Sequence, residues 1–217
     1  MALERWELVQ RQKGNKIGAE MAQLLRKHFG DVPLPTSETL PSIKKFSPET
    51  KEALEKLGYL IYSLTGKSIK NLKEEGMEFR RIWRRDYPDF EALTSIRSEV
   101  AINPDELFLP KSNYKTLKRQ EEMVDEFSEE LTKKIQGVKA VIGQAPDYLE
   151  LAFQHLDKTK DYLFGEKYHY DSARTKTPTR GSYIASIGGS GYGWRGNSWS
   201  AGLGHFGVYA APLVVPV

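Results

Sequence analysis

Thirty-seven consecutive residues, Gly181–Val217, carry one charged side chain, Arg195, yet hold nine of the chain's eighteen glycines. The same stretch has six aromatics: Tyr183, Tyr192, Trp194, Trp199, Phe206 and Tyr209. Gly189, Gly191 and Gly193 alternate with Ser190, Tyr192 and Trp194, which is the two-residue period of a strand. Glycine weakens a strand unless it marks a bulge or a close backbone approach. Trp194, Trp199 and the apolar Leu213–Val215 require burial, which argues against a low-complexity tail. A Gly-rich structural sheet, an oligomer contact and a binding face remain open. Composition alone leaves the binding face and the structural sheet level; the binding reading rests on aromatic rings that give contact area at low entropic cost while Ser, Gly and Asn adapt around them.

The preceding part reads as an ordinary folded body. A charged fraction of 28% with 11% aromatics fits an ordered chain rather than a disordered one. The 217 residues are expected to form one domain. Residues 1–165 form an α+β scaffold and 166–217 a loop-rich strand region. Helical spacing joins Ile17, Met21, Leu24 and Leu25 up to Gly30, and an arm with Pro33, Pro35 and Pro41 follows. Ser47-Pro48 caps and opens a helix that Gly58 stops. Tyr59–Leu64 is a strand, and Ser68 to Glu75 is a short helix ending at Gly76. Glu99–Phe108 is strand-like. Ser112 or Asn113 is expected to cap a long helix with a core face of Val124, Phe127, Leu131 and Ile135, ended by Gly137. Val138–Ile142 is a buried strand. Pro146 opens a helix with Leu149, Ala152, Phe153 and Leu156 on one face. Tyr162–Phe164 adds a further strand, Glu166–Arg180 is a polar connecting loop, and Val208–Ala211 and Leu213–Val215 are the final strands. The pattern is α+β, helices on a small antiparallel sheet.

Charge and motifs exclude several chemistries. The net charge is +3, and the excess lies entirely in Glu166–Arg195, too dispersed for the basic stripe of a nucleic-acid-binding protein. Arg80, Arg81, Arg84 and Arg85 interleave with Ile82, Trp83 and Tyr87, but acidic neighbours Glu74, Glu75, Asp86 and Asp89 make a paired surface the better reading than base stacking. There is no cysteine, which removes disulfides, thiol catalysis and zinc–thiolate sites. His28, His155, His169 and His205 do not pair at ligand spacing, so no metal and no cofactor is expected. Thr65-Gly66-Lys67-Ser68 sits between a strand and a helix, but Ile61 replaces the first glycine that a phosphate-binding loop needs. Gly188–Gly193 opens no helix and so is not a dinucleotide loop. The start, Met-Ala-Leu-Glu-Arg-Trp-Glu, shows no signal-peptide pattern, and no apolar run is long enough to span a membrane. Localisation stays open.

The Gly-Gly-Ser at 188–190, the spaced aromatics, the Trp199 segment and the apolar strand Leu213–Val215 resemble the variable proteins of diversity-generating retroelements, which carry a C-type-lectin-type fold. A helical α+β body before such an end is similar to archaeal members of that kind. The resemblance implies substitution at template adenines, which reaches Asn, Ser, Gly, Asp, Tyr, His, Arg, Leu and Phe but not Trp, Lys, Glu, Gln or Met. Gly181–Val217 contains no Lys, Glu, Gln or Met. It implies a variable ligand-binding face of Tyr183, Ser190, Tyr192, Arg195, Asn197, Ser198, Ser200, Leu203, His205 and Phe206, with Trp194 and Trp199 as scaffold anchors. The implied partner is a protein or cell-surface ligand, with no catalytic residue. The calcium motifs of animal C-type lectins are absent, so calcium-dependent sugar binding is not implied. Two other readings stand beside this one: a structural, oligomer-contact or tail-tip protein, and an enzyme using Tyr168–Asp171 with His205.

Overall fold

A computed structural model describes residues 42–82, 89–164, 166–168, 171–179, 181–190 and 193–217, of which Ile43–Val217 makes one compact unit. The expected helix around Ile17–Leu25, the proline arm up to Pro41, and Trp83, Arg84, Arg85, Tyr87, His169, Tyr170, Gly191 and Tyr192 lie outside the described residues. The architecture is mixed α+β with two sheets and four helices among the described residues. This corrects the expected single antiparallel sheet, since the second sheet holds parallel as well as antiparallel pairings.

The first sheet has the order β1 (Leu60–Thr65), β3 (Arg97–Ile102), β9 (Leu213–Pro216), β4 (Val138–Val141), and its pairings are antiparallel. Both faces are covered, and the pleat decides which residue goes where. Leu64, Val100, Ile102, Leu213 and Val215 pack with α4 (Ala145–Thr159). The alternate residues Ala101 and Val214 pack with Leu54 of α1 (Pro48–Lys56) and Leu131 of α3 (Leu117–Lys134). Strands buried on both faces read as continuous apolar runs, which is how Leu213–Val215 reads. The second sheet has the order β2 (Phe79–Ile82), β7 (Gly193–Ser200), β6 (Tyr183–Ser190), β5 (Ser172–Pro178), β8 (Val208–Tyr209). Its Ala173, Ala185, Ile187 and Trp194 join Tyr148, Leu151 and Ala152 of α4 in the main core. Thus α4 lies between the sheets, and most of its surface is buried.

Local chemistry accounts for the helix boundaries. Ser47 Oγ accepts from Thr50 N–H at 3.1 Å, and Pro48 begins α1 where its missing N–H costs nothing. The six-residue α2 (Ile69–Glu74) carries a reciprocal capping box between Ser68 and Asn71. Gly58, Gly76 and Gly137 take φ values of +81°, +100° and +76°, the left-handed conformation that glycine supplies after a helix. No described helix is long and apolar enough to cross a membrane.

Four expected boundaries are corrected. The strand expected over Glu99–Phe108 is Arg97–Ile102, because Asn103 accepts from Asp105 N–H and Pro104 opens a 3-10 turn. The cap of α3 is Thr116, which accepts from Arg119 N–H. Ser112 instead donates to the Leu109 carbonyl and accepts from Ala210 N–H. Tyr162–Phe164 is a turn. The segment read as a loop, Glu166–Arg180, contains β5, whose Arg174, Thr175 and Thr177 are buried.

Candidate functional site

The hairpin β6–β7 gives the C-terminal region two faces. The register pairs Gly189 with Trp194, Ile187 with Gly196 and Ala185 with Ser198 on the core side. Trp194 is 2% exposed and its ring meets Tyr162 and Phe153 at centroid distances of 5.4 and 6.4 Å. A side chain on Gly189 would place Cβ 2.1 Å from the Phe164 carbonyl oxygen, so the chain passes there only as glycine. On the other side of the sheet, Arg174, Ser186 and Asn197 form one cross-strand row. Ser172, Gly188 and Arg195 form the next, and Ile184 pairs with Trp199.

The segment after β7 is a loop, Ala201–Gly207, docked through its backbone. The Ala201 carbonyl accepts from Leu117 N–H at 2.9 Å and the His205 carbonyl from Tyr114 N–H at 3.1 Å. Asn113 Nδ2 donates to the Phe206 carbonyl at 3.0 Å. A Cβ on Gly204 would lie 2.2 Å from the Tyr114 carbonyl carbon, so the two backbones are in direct contact. Beneath the loop lies Arg174, 1% exposed. Its Nη1 donates to the Ser200 carbonyl at 2.8 Å, and its Nη2 to Leu203 and Lys115 carbonyls at 3.0 and 3.4 Å. Burial pulls the guanidinium below its ordinary range, but an arginine stays charged throughout the physiological range.

This scaffold carries an exposed apolar group. Tyr183, Leu203 and Phe206 are 49%, 61% and 55% exposed, and Tyr114 is 68% exposed. His205 bridges Trp199 and Phe206, with centroid distances of 4.3 and 4.4 Å, and its Nδ1 accepts from Gly207 N–H at 3.1 Å. Trp199 is half-buried in this stack.

The expected site residues therefore divide. Leu203, His205 and Phe206 stand on the docked loop, while Tyr183 begins β6 opposite Ser200, on the other pleat from Trp199. Arg195 and Asn197, both half-buried, lie on the Arg174 side of the sheet. Ser198 and Ser200, also half-buried, fall on the opposite pleat. Ser190 ends β6 by pairing with Gly193, and Tyr192 lies outside the described residues. Two participants escaped the sequence reading. Tyr114 is non-glycine with φ +55°, and no pattern in the sequence marks it. Arg174 sits in a polar run that looks solvated.

Of the rival catalytic cluster, Tyr168, Asp171 and His205 are described, and Ser172 N–H donates to the Gly207 carbonyl at 2.9 Å. The Tyr168 hydroxyl donates to the carbonyls of Pro104 and Asp105 at 3.1 and 3.2 Å. The carboxyl of Asp171, partly buried, is raised by burial, and no hydrogen bond joins it to His205 among the described residues. No group of three or more His, Cys, Asp or Glu that could hold a metal ion occurs among the described residues. In the Thr65–Ser68 loop, Thr65 N–H and Oγ1 donate to Glu150 and Lys67 pairs with Glu75 at 2.6 Å, so its polar groups are used internally.

The remaining buried polar groups tie elements together. Glu150 accepts from Thr65, Ser95 and Gln154. Asp147 accepts from Ile96 N–H at 2.8 Å and Gln144 N–H at 2.7 Å. Burial pushes the Asp147 carboxyl up to about 6 against these two bonds. Tyr62 is pushed up by burial to about 12, and its hydroxyl lies 2.6 Å from His155 Nδ1. Two acids three residues apart within the apolar run of α4 were the available sign of this buried network.

Comparison with protein-family models, with characterised proteins and with solved structures finds no match.

Proposed function

We propose that this protein binds a protein or cell-surface ligand through a variable face on a C-type-lectin-like scaffold, and that the face is diversified by a retroelement. One observation carries the reading: the Ala201–Gly207 backbone is held by a buried arginine and main-chain hydrogen bonds, while Leu203 and Phe206 point outward. A surface can vary only where its side chains are not what holds its backbone. At Leu203 and Phe206 the two are separable, whereas His205 Nδ1 accepts from Gly207 N–H and shares in holding the loop. The exposed aromatic and aliphatic groups supply contact area, and binding needs no bond made or broken.

The lectin-like assignment draws support from the return of β9 to the first sheet, between β3 and β4, after the hairpin and loop of the second sheet. The retroelement reading is tested at the locus. A reverse transcriptase gene and a near-copy of the Gly181–Val217 coding segment, differing at adenines, are expected; their absence rejects diversification. Binding is tested with a displayed library randomised at Tyr183, Leu203 and Phe206. Folded members with different ligand preferences support the face, and a library that is largely unfolded rejects it.

The exposure of Tyr183, Leu203, Phe206 and Tyr114 also favours a second reading, a contact between copies of this chain as in a structural or tail-tip protein. Sedimentation over a range of concentrations separates the two: self-association lost in Leu203→Ser with Phe206→Ser supports the contact.

A further inference from the structure

We propose that the cleft between the Asn103–Pro110 segment, α3 and the Glu166–Tyr168 turn binds a small apolar organic cation, such as a quaternary or aromatic ammonium. The cleft has a volume of about 410 Å³, inside the roughly 300–1,000 Å³ range of small-molecule sites. Four rings line it, Tyr59, Phe108, Phe127 and Tyr168, among aliphatic side chains. Its walls are held in place. Phe108 is stacked on Tyr209 at 5.1 Å and meets the edge of Tyr168 at 4.9 Å, and the Tyr168 hydroxyl is anchored on two carbonyls.

Charge selects the ligand class. Three charged residues line the cleft: Asp105, Glu106 and Lys167. Lys167 faces Asp105, with Nζ 3.5 Å from Oδ1, whereas Glu106 makes no ion pair among the described residues. The lining thus keeps one net negative charge beside ring faces that attract cations. Burial, then the charge of Glu106, raises the Tyr59 phenol above its ordinary range, which puts that carboxylate within electrostatic reach of the apolar interior. The Lys167 ammonium already lies 5.3 Å from the Tyr168 ring centroid, so the rim places a tethered cation over one of these rings. An anion would meet Glu106. A hydrated metal ion would gain nothing from apolar walls. A neutral apolar molecule would use the walls and leave the carboxylate idle. An ammonium with an apolar body uses both.

The test is calorimetric titration of the full chain at low salt with benzyltrimethylammonium, benzyl alcohol and benzoate. Saturable binding of the ammonium is expected, about ten-fold tighter than benzyl alcohol, with benzoate weakest. Glu106→Gln, at an exposed position, should remove most of that preference. Phe127→Leu, which keeps an apolar wall but loses a ring, should weaken the ammonium more than the alcohol. Phe206→Ser should change nothing, which separates this cleft from the C-terminal face. The proposal is overturned if the ammonium shows no saturable binding, if benzyl alcohol binds equally well, or if Glu106→Gln leaves the ammonium's affinity unchanged.

Discussion

The guanidinium of Arg174 donates to the carbonyl oxygen of Ser200 at 2.8 Å, linking the middle of β5 to the point where β7 runs out into the Ala201–Gly207 loop. The same side chain reaches the Leu203 carbonyl at 3.0 Å. One buried cation thus substitutes for the strand pairing that the loop lacks.

Arg174→Met should therefore release the loop. The Ser200 and Leu203 carbonyls lose a charged donor, and a buried group left unsatisfied costs about 1–3 kcal/mol. A loss of about 2–4 kcal/mol in urea unfolding is expected. Faster hydrogen exchange should appear at the Tyr114 and Leu117 amides, which donate to His205 and Ala201. Unchanged exchange at those amides would show that the loop is held by other means.

Scaffold and surface should respond differently to truncation. Trp194→Ala removes a buried ring and should cost about 3–5 kcal/mol. Tyr183→Ser, Leu203→Ser and Phe206→Ser remove exposed groups and should each stay within about 0.5 kcal/mol. Thermal melting of the four variants distinguishes them. Any of the three serine variants melting as low as Trp194→Ala would place that side chain in the core.

Gly204 and Gly202 offer a sharper contrast within one loop. A Cβ on Gly204 meets the Tyr114 backbone at 2.2 Å, while one on Gly202 has only Ser200 Oγ at 4.0 Å. Gly204→Ala should cost at least about 1–3 kcal/mol, as an overpacked contact does. Gly202→Ala should be near neutral. Denaturant midpoints measure both, and equal midpoints would refute the close docking.

The pH dependence of stability should contain a contribution from Asp147. Its carboxyl is raised from an ordinary 3.8 to about 6, first by burial. Between about pH 4 and 6 the unfolded chain is ionised while the folded chain holds the proton, so this group makes stability fall as pH rises through that window. In Asp147→Asn the slope over that window should become more positive by the missing contribution. The overall level should drop too, because one of the two N–H donors loses its acceptor. An unaltered slope would show that the carboxylate is ionised throughout.

His155 acts with the opposite sign. Burial lowers its imidazole below the ordinary 6.5, opposed by Asp161 and assisted by Lys158. Below pH 6.5 the unfolded chain takes a proton that the folded chain does not, so stability falls as pH decreases through the folded-state value. His155→Gln should remove this loss, while Tyr62→Phe, which removes the hydroxyl beside Nδ1, should leave a titrating histidine. Acid unfolding profiles that coincide for wild type and His155→Gln would contradict it.

Much of the secondary structure was legible because its causes are local. Ser47-Pro48 carries its own cap, Gly76 and Gly137 supply the φ values that end helices, and the period of Val124, Phe127 and Leu131 marks one face of α3. Each signal acts over four or five residues. The glycine alternation from Gly189 to Trp194 signalled extended chain for the same reason, but β6 ends at Ser190 and β7 begins at Gly193, so it did not show that two strands meet there. The cap of α3 was misplaced because Ser112, Asn113 and Thr116 are chemically equivalent as caps. What separates them is distant: Ser112 is occupied by Leu109 and Ala210.

The sequence by itself determined that Leu213–Val215 is a buried strand, since a short unbroken apolar run needs no partner to be read. Only the tertiary structure decided that Ser172–Pro178 is a buried strand, because its Arg174, Thr175 and Thr177 are buried at low cost once carbonyls and neighbouring strands accept their hydrogen bonds. It also decided which aromatics face outward. Trp194 and Phe206 are equally apolar in the sequence, but the pleat aims Trp194 at α4, while the docked loop lies flat on Asn113–Leu117 and leaves Phe206 on the outside.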